Sequence, residues 1–598
     1  VYTVRRRAGS LYCAQARIQL HCNIFYKGFN MTTNILFIVP MHNTFDSFIN
    51  PSKNQRLQKK KDGKYYNLPP TDLPLGFLSI SAFLKKHADV NVKLIDFNVL
   101  VFEEDEFPYN SFFEYAIKRL NDIDFHPDIV GISGLFSPSY QNFLELGKAS
   151  KERFPDALVI GGGNIPTSAY NEIYSSKYSD TFDALCFGEG ELPMLELVNT
   201  DSTFEYLSLS KTWVTKEKIE NGFDPEHNFI SDLDEIPFYD YDLCDIDKHN
   251  ANLVVKTAFA TTDNLRSFHV VTSRGCPFKC TFCASHAVHG RKMRSHSVER
   301  LREDFSLLRY KYKADTLVFQ DDHLMDNNNR VYKILDILKE LGLNSIYQSG
   351  LALYALDRPM LEAFHAAGVR QLVLAVESGS PRVLKYLMKK PLKLEISQRV
   401  ANDCRDLGIY TNTNILIGMP GETKEDIEEG RKNLAKINSN WFHINCASPL
   451  VGSEMHKISK QKGHIKGETL GADYKMAVVE TTEFSTDYIQ DMQYIMNLEL
   501  NFVNNNDMKI GDYNIALEGF NGVISVKHDH TFAWYYAAKC HYALGNQSEA
   551  DHCAEQYKKY SNTKLWKKYI DMFELQPLNS IIDFKNIHCT EGDLQLQL

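Results

Sequence analysis

The sequence predicts an α/β protein in three parts: a doubly wound parallel sheet, a second run of β/α units, and an α-helical C-terminal extension. Three observations predict it. Short continuous apolar runs alternate with helical stretches from Asn34 to about 200 and again from about 266 to Leu450, and such runs mark buried parallel strands. Polar or glycine-rich residues follow many of those runs directly, where α/β sheets and β/α barrels keep their ligands. From about Tyr474 the apolar residues fall at helical spacing instead. At 598 residues the chain is too long for one core. The pattern divides it into a leader over 1–30, a first domain over 31–200, a linker over 201–265, a second domain over 266–470 and the extension over 471–598.

Composition narrows the function classes. The 43% apolar and 24% charged content is that of a globular protein, and a net charge of −10 argues against a broad nucleic-acid-binding face. No run approaches the ~18 uninterrupted apolar residues of a membrane helix. Twelve cysteines are scattered apart from one central trio, which suits a reducing compartment and predicts a cytoplasmic location. The first thirty residues carry Arg5, Arg6, Arg7, Arg17 and Lys27 and no acid. That composition resembles a transit peptide, but a strand begins just after Met31, so a non-native or disordered leader is the expectation.

The first domain opens with Ile35-Leu-Phe-Ile-Val39. Further strands are expected at Val92-Lys-Leu-Ile95, Ile129-Val-Gly-Ile132, Ala157-Leu-Val-Ile160 and Ala184-Leu-Cys-Phe187, with helices near Phe77 to Lys86 and Phe143 to Arg153. Gly161, Gly162 and Gly163 follow the fourth strand, and Gly188, Glu189 and Gly190 the fifth. Glycine there lets backbone approach a ligand, although a triple glycine also serves a tight turn. In the linker the aromatics of Phe238-Tyr-Asp-Tyr241 are expected to pack one domain on the other.

His269-Val-Val-Thr272 is read as a strand delivering Arg274-Gly-Cys-Pro-Phe-Lys-Cys-Thr-Phe-Cys283. Cys276, Cys280 and Cys283 put three thiolates within reach of one metal centre. Thiolates hold Fe–S clusters, and three ligands for a cluster that wants four leave one iron open. A Cys3His zinc site using His286, His289 or His296 is also compatible with the spacing. Three later strands lead to Gln320-Asp-Asp-His323, Glu377-Ser-Gly-Ser380 and Gly418-Met-Pro-Gly421. Taken singly, Asp322 suits a helix cap, Pro420-Gly421 a turn, and Arg382 with Lys385 a solvated helix face. In the extension, Gly511-Asp-Tyr-Asn-Ile-Ala516 and Gly545-Asn-Gln-Ser-Glu-Ala550 repeat at 34 residues, the tetratricopeptide (TPR) period. One TPR-like repeat cannot bury its own face, so a structural cap is expected, with docking of a protein partner or substrate carrier as the alternative.

The cysteine array, with Phe282 before its last member, resembles the signature of the radical S-adenosylmethionine (radical SAM) superfamily, and the three strand-end loops follow in that family's order. The resemblance implies a partial (β/α) TIM-type barrel and a [4Fe–4S] cluster on Cys276, Cys280 and Cys283. It further implies that S-adenosylmethionine chelates the open iron and is cleaved reductively to methionine and a 5′-deoxyadenosyl radical. The electron would come from an external donor such as flavodoxin or ferredoxin. Phe282, Glu377, Ser378, Gly379, Gly418, Pro420 and Gly421 would line the S-adenosylmethionine site, with Asp321 and Asp322 near its methionine end or the substrate.

Leu75 and Gly76, Ser133, Gly161 to Gly163 and Gly188 to Gly190 look like the loops of a flavodoxin-like cobalamin-binding domain fused ahead of a radical SAM domain. In that family such loops cradle the nucleotide tail. The D-x-H-x-x-G signature is absent, because His42 follows the first strand without its Asp and Gly. Cobalamin would then bind without a protein axial ligand, or the domain has kept the fold and lost the cofactor. In families of this layout the reaction is most often methylation of an unactivated carbon on a small or carrier-bound substrate. Radical oxidation, cyclisation or rearrangement without methyl transfer, and a non-catalytic sensing module, are the alternatives.

Overall fold

A computed structural model describes residues 32–51, 57–250, 266–467, 469–471, 476–576 and 578. The leader over 1–30 and the last part of the linker lie outside the described residues.

The first domain is a six-stranded sheet of β1 (Thr33–Val39), β2 (Val90–Asp96), β3 (Ile129–Ser133), β4 (Leu158–Gly162), β5 (Ala184–Cys186) and β6 (Trp213–Val214), in the order β2-β1-β3-β4-β5-β6. All neighbours are parallel except the last pair. This is the flavodoxin-like order, whose crevice opens at the C-terminal ends of β1 and β3. Ile35, Leu36 and Ile38 are fully buried because helices cover both faces. These include α1 (Leu75–His87), α2 (Phe112–Asn121), α3 (Tyr140–Arg153), α4 (Asn164–Tyr174) and α5 (Glu191–Val198). Helix α1 is buried nearly all round, since Phe77 and Leu84 meet the sheet while Leu78 and Phe83 join the core of the second domain.

The second domain holds β7 (Ser267–Val270), β8 (Thr316–Phe319) and β9 (Asn344–Tyr347) in one parallel sheet, and β10 (Gln371–Glu377), β11 (Tyr410–Ile417) and β12 (Trp441–Cys446) in another. A single parallel bridge from Leu351 to Leu374 joins the two. With α6 (Val298–Tyr310), α7 (Asn328–Leu341), α8 (Arg358–Ala366), α9 (Leu394–Asp406) and α10 (Lys424–Leu434) outside, this is a partial barrel with β7 and β12 as its edges. Along β10, Leu372, Leu374 and Val376 are buried against the helices, while Val373, Ala375 and Glu377 are half-exposed on the other face. The barrel interior is therefore an open lumen. β9 and β12 escape the sequence reading, and β7 starts two residues before its expected position.

The linker aromatics pack on the barrel. Tyr241 Oη donates to the carbonyl of His269 at 2.7 Å, Phe238 lies 5.8 Å from Tyr312, and Asp240 accepts from Ser81 and Lys85 of α1. After α11 (Glu454–Gln461) comes α12 (Thr486–Leu498), ending in a π-helical turn, Glu499–Val503. This segment covers the open edge of β12. Gln493 donates to the carbonyl of Ile444 at 2.7 Å, and the Asn501 amide pairs both the N–H and the carbonyl of Phe442, at 2.7 and 2.8 Å. Side chains thus complete the ladder of an edge strand. Helices α13 (Tyr513–Val526), α14 (Thr531–Ala543), α15 (Gln547–Ser561) and α16 (Lys564–Met572) then pack around Phe502, Phe520, Phe532 and Trp566. Among the described residues no helix is long and apolar enough to cross a membrane.

Candidate functional site

The cysteine loop is bounded by two short strands. Ser273–Arg274 pairs antiparallel with Arg294–Ser295, which returns the chain beside its own start. Gly275 sits at φ 93° with its N–H on Asp322 at 3.2 Å, and a Cβ there would stand 2.5 Å from the carbonyl of Lys292. The middle of the loop is tied to the loops after β10 and β12. Thr281 donates its N–H to Met388 at 3.0 Å and its hydroxyl to Leu387 at 2.6 Å, and its carbonyl accepts from the N–H of Met455 at 2.8 Å.

Cys276, Cys280 and Cys283 are free and half-buried on this frame. Burial pushes the Cys276 thiol up and that of Cys280 to about 11, with Lys390 opposing the shift at Cys280. Thiols in such surroundings become thiolates when a metal takes the proton's place. No three His, Cys, Asp or Glu side chains among the described residues converge closely enough for one ion. Two of the three candidate zinc histidines are engaged elsewhere: His289 Nδ1 lies 2.8 Å from Glu189, and His296 Nδ1 lies 3.1 Å from Asp234. Phe282 is half-buried against the barrel core.

The strand-end acids have structural duties. Asp321, 4% exposed, accepts from the Thr272 N–H at 3.1 Å, the Thr272 hydroxyl at 2.7 Å and Ser273 Oγ at 2.6 Å. Its carboxylate fixes the end of β7 and has no oxygen turned to open space. Asp322 holds Gly275, and the cap of α7 is Asn327. Glu377 ends β10 in the left-handed region at φ 71°, an uncommon conformation for a side chain that is not glycine. It forms a partly buried pair with Lys390 at 3.4 Å. Ser378 Oγ accepts from the Ser380 N–H at 3.1 Å.

Gly379 makes way for α10 rather than for a ligand, since a Cβ there would lie 2.3 Å from the carbonyl of Gly430. The turn of Gly418, Pro420 and Gly421 is held by Glu422, which accepts from the Gly418 and Met419 N–H groups at 2.6 and 2.8 Å. Sequence reasoning missed Glu422. Its only signal was an acid between that turn and the Thr423 helix cap. Burial pushes its carboxyl up to about 7. Arg382 and Lys385 are exposed on their helical turn, as expected, and Asp426 accepts from the Arg382 Nε at 2.8 Å.

At the edge of the first domain Gly162 has no atom within 3.9 Å of where a Cβ would sit, and it stands in register with half-buried Ser133. Leu135 is 40% exposed there, and His42 is buried with Nδ1 unpartnered. An open cradle, an exposed apolar side chain and an orphaned imidazole nitrogen fit a large, mixed-polarity cofactor. Gly76 faces open space, and Leu75 packs on the barrel. The other glycines serve their own chain: Gly161 accommodates Phe143 and Leu185, Gly163 the backbone of Gly134, Gly188 the His227 ring and Gly190 Ile80.

Glu189 also departs from its expected place at a ligand. It is buried in an ion network with Arg274 at 3.0 Å, Arg294 at 2.5 Å and His289 at 2.8 Å, while Glu191 binds Arg274 at 2.7 Å and Ser79 at 2.5 Å. Burial alone would raise the Glu189 carboxyl, but Arg274, Arg294 and His289 together hold it well below the carboxylate range. The loop after β5 is thus bolted to both ends of the cysteine loop. A cleft of about 470 Å³ lies alongside, between α4, His286 and α11.

Residues 270–432 match the Radical SAM superfamily profile, and residues 71–198 match that of the B12 binding domain. The chain carries a radical SAM domain behind a B12-binding domain. It is accordingly a cobalamin-dependent radical SAM enzyme, and its domains imply a [4Fe–4S] cluster, S-adenosylmethionine and cobalamin. It is 29% identical to an uncharacterized methyltransferase of Pyrococcus horikoshii over 403 residues, 65% of this chain and 81% of that one. It is also 29% identical to the cytidylyl-2-hydroxyethylphosphonate methyltransferase of Streptomyces wedmorensis over 443 residues, 67% of this chain and 80% of that one. Among solved structures, the cobalamin-dependent S-adenosylmethionine radical enzyme OxsB shares the fold with TM-score 0.54 at 13% identity, covering 91% of this chain and 84% of that one.

Proposed function

We propose that this radical SAM enzyme transfers a methyl group to an unactivated carbon of a substrate held in the barrel lumen. The carrying observation is the buried network of Glu189, Glu191, Arg274 and Arg294, which supports a fixed geometry between the cysteine loop and the edge of the B12-binding domain. Relatives named as methyltransferases support the choice of reaction. Bound at these sites, the cluster and cobalamin would supply the electron and the methyl group. Cys276, Cys280 and Cys283 would ligate the cluster. Glu377, with Ser378 and the Gly418–Gly421 turn, would seat S-adenosylmethionine, while the cradle at Gly162 and Ser133 would take the nucleotide tail. An outside one-electron donor such as flavodoxin or ferredoxin is required, and the C-terminal helices serve the barrel first as a lateral seal.

Anaerobic reconstitution with iron, sulfide and hydroxocobalamin, followed by a reductant and S-adenosylmethionine, tests this reading. S-adenosylhomocysteine together with 5′-deoxyadenosine is the expected result. 5′-Deoxyadenosine alone would move the assignment to radical chemistry without methyl transfer, such as the cyclisation named for a relative 24% identical over 323 residues. Neither product would leave a non-catalytic module.

A further inference from the structure

The chain carries 76 acids against 66 Lys and Arg, yet two segments at the cysteine loop hold no acid at all. From Ser273 to Val298 there is no Asp or Glu, and the cations are Arg274, Lys279, Arg291, Lys292 and Arg294. The same holds from Ser378 to Leu394, with Arg382, Lys385, Lys389, Lys390 and Lys393. The bonds of Thr281 to Leu387 and Met388 lay the second segment against the first, and its bond from Met455 adds the start of α11, where Lys457 is exposed. Arg291 donates to the carbonyl of Phe278, beside Lys279. Burial, then Arg291 and Lys457, push the His286 imidazole down, so both cations stand near the residue three places after Cys283.

Half of the ten cations are already neutralised. Arg274 and Arg294 are buried with Glu189 and Glu191, Arg382 faces Asp426, Lys389 faces Glu454 at 2.6 Å, and Lys390 faces Glu377. Lys279, Arg291, Lys292, Lys385 and Lys393 are exposed and, like Lys457, form no ion pair among the described residues. Clustered charge of one sign raises the local potential and speeds the arrival of an oppositely charged partner. Tyr386 is 63% exposed, with the Lys385 ammonium 4.9 Å over its ring, and aromatic side chains inside a polar rim are what protein interfaces use. A small anion would meet only one or two of these side chains, whereas a face built from three chain segments suits a protein. Electron transfer weakens steeply with distance, and exposed Pro277 and Lys279 bring the cysteine loop itself to the surface.

We propose that this face docks an acidic one-electron carrier protein of the flavodoxin or ferredoxin kind, and that Lys292, Lys385 and Lys457 steer it. One electron leaves the reduced carrier and enters the cluster, with no bond made or broken at that step. The proposal rests on the radical reading, which calls for such a donor, and is independent of methyl transfer.

The test combines Lys292→Glu, Lys385→Glu and Lys457→Glu in the reconstituted holoenzyme, leaving Lys279 alone because it stands between two of the cysteines. A control of equal charge combines Lys558→Glu, Lys564→Glu and Lys567→Glu, exposed on α15 and α16. Binding of an acidic flavodoxin is titrated by its flavin fluorescence at low salt, and 5′-deoxyadenosine release is followed with reduced flavodoxin and, separately, with dithionite. The face variant should lose roughly ten- to a hundredfold in flavodoxin affinity and in flavodoxin-driven rate. Its iron content and dithionite-driven rate should match the parent, and the control should match the parent throughout. Salt well above 0.1 M should shrink the difference, since the screening length then falls below about 10 Å.

A face variant that binds flavodoxin like the parent overturns the proposal. An equal loss in the control also overturns it, because net charge rather than this face would then matter. So does a fall in iron content or in the dithionite-driven rate, which would assign the lysines to the cluster or to an anionic substrate. Absence of 5′-deoxyadenosine from the parent under dithionite would sink the radical reading instead, and the fluorescence titration alone then decides the docking face.

Discussion

Replacing Glu189 by Gln keeps the shape of the side chain and removes one charge from a buried set of two carboxylates and two guanidinium groups. Arg274 would still be balanced by Glu191 at 2.7 Å, but Arg294, with a side chain 5% exposed, would lose its carboxylate. Breaking one partner out of a buried ion pair costs about 3–5 kcal/mol. For a unit of 150–250 residues each kcal/mol moves the melting temperature by about 2–4 °C, so a fall of roughly 6–20 °C is expected. Thermal unfolding of the metal-free protein followed by near-ultraviolet circular dichroism reads it directly. Glu226→Gln is the control, because its partner Lys211 lies 2.8 Å away on the exposed surface. That change should cost no more than about 1 kcal/mol.

The sign with pH follows from the depressed carboxyl of Glu189. Its contribution is fully present above the ordinary carboxylate value of 4.5 and is lost as the pH falls from there toward the folded value, so the two proteins should converge on acidification. A Glu189→Gln variant melting within about 2 °C of the parent at pH 7 would refute the network as a structural bolt.

Replacing Cys276, Cys280 and Cys283 together by Ala should abolish the brown chromophore and about four irons per chain after reconstitution; retained iron would remove the assignment. Glu377→Gln should weaken S-adenosylmethionine binding roughly ten- to a hundredfold with iron content unchanged, as loss of one charge-assisted contact predicts. Unchanged affinity in equilibrium binding would confine Glu377 to its pair with Lys390. Glu422 behaves oppositely to Glu189 with pH. Its raised carboxyl makes ionisation a penalty that grows as pH rises from 4.5 to about 7 and reaches on the order of 3 kcal/mol. Glu422→Gln should therefore gain on the parent in melting temperature between pH 5 and pH 8, and a difference that does not change with pH would contradict it.

What was legible in the sequence was chemistry concentrated in short stretches. The spacing of Cys276, Cys280 and Cys283 needs no partner from elsewhere to be read. The buried runs of β1 and β3 likewise announce strands, since helices cover them on both faces. β12 reads Trp-Phe-His-Ile-Asn-Cys, and β9 Asn-Ser-Ile-Tyr, because one side of each faces a polar lumen and the apolar run is broken. The glycine loops misled for a related reason. Glycine signals a close approach without saying what approaches, and at Gly379 and Gly190 the visitors are Gly430 and Ile80 of the same chain. Glu189 was beyond local reasoning, because Arg274 and Arg294 lie 85 and 105 residues away in sequence. The distances exist only after two domains have docked.

The grip of Asn501 on Phe442 has a practical consequence for anyone dividing this enzyme into pieces. A chain stopped after α11 would leave the N–H and carbonyl groups of β12 without a cover, and a bare strand edge is a template on which a second molecule can add its own strand. Loss of the last third of α12 and its π turn would therefore show first as self-association and poor recovery rather than as a missing activity. The residue that prevents this is an asparagine, which carries an acceptor and a donor on one planar group, as a peptide bond does.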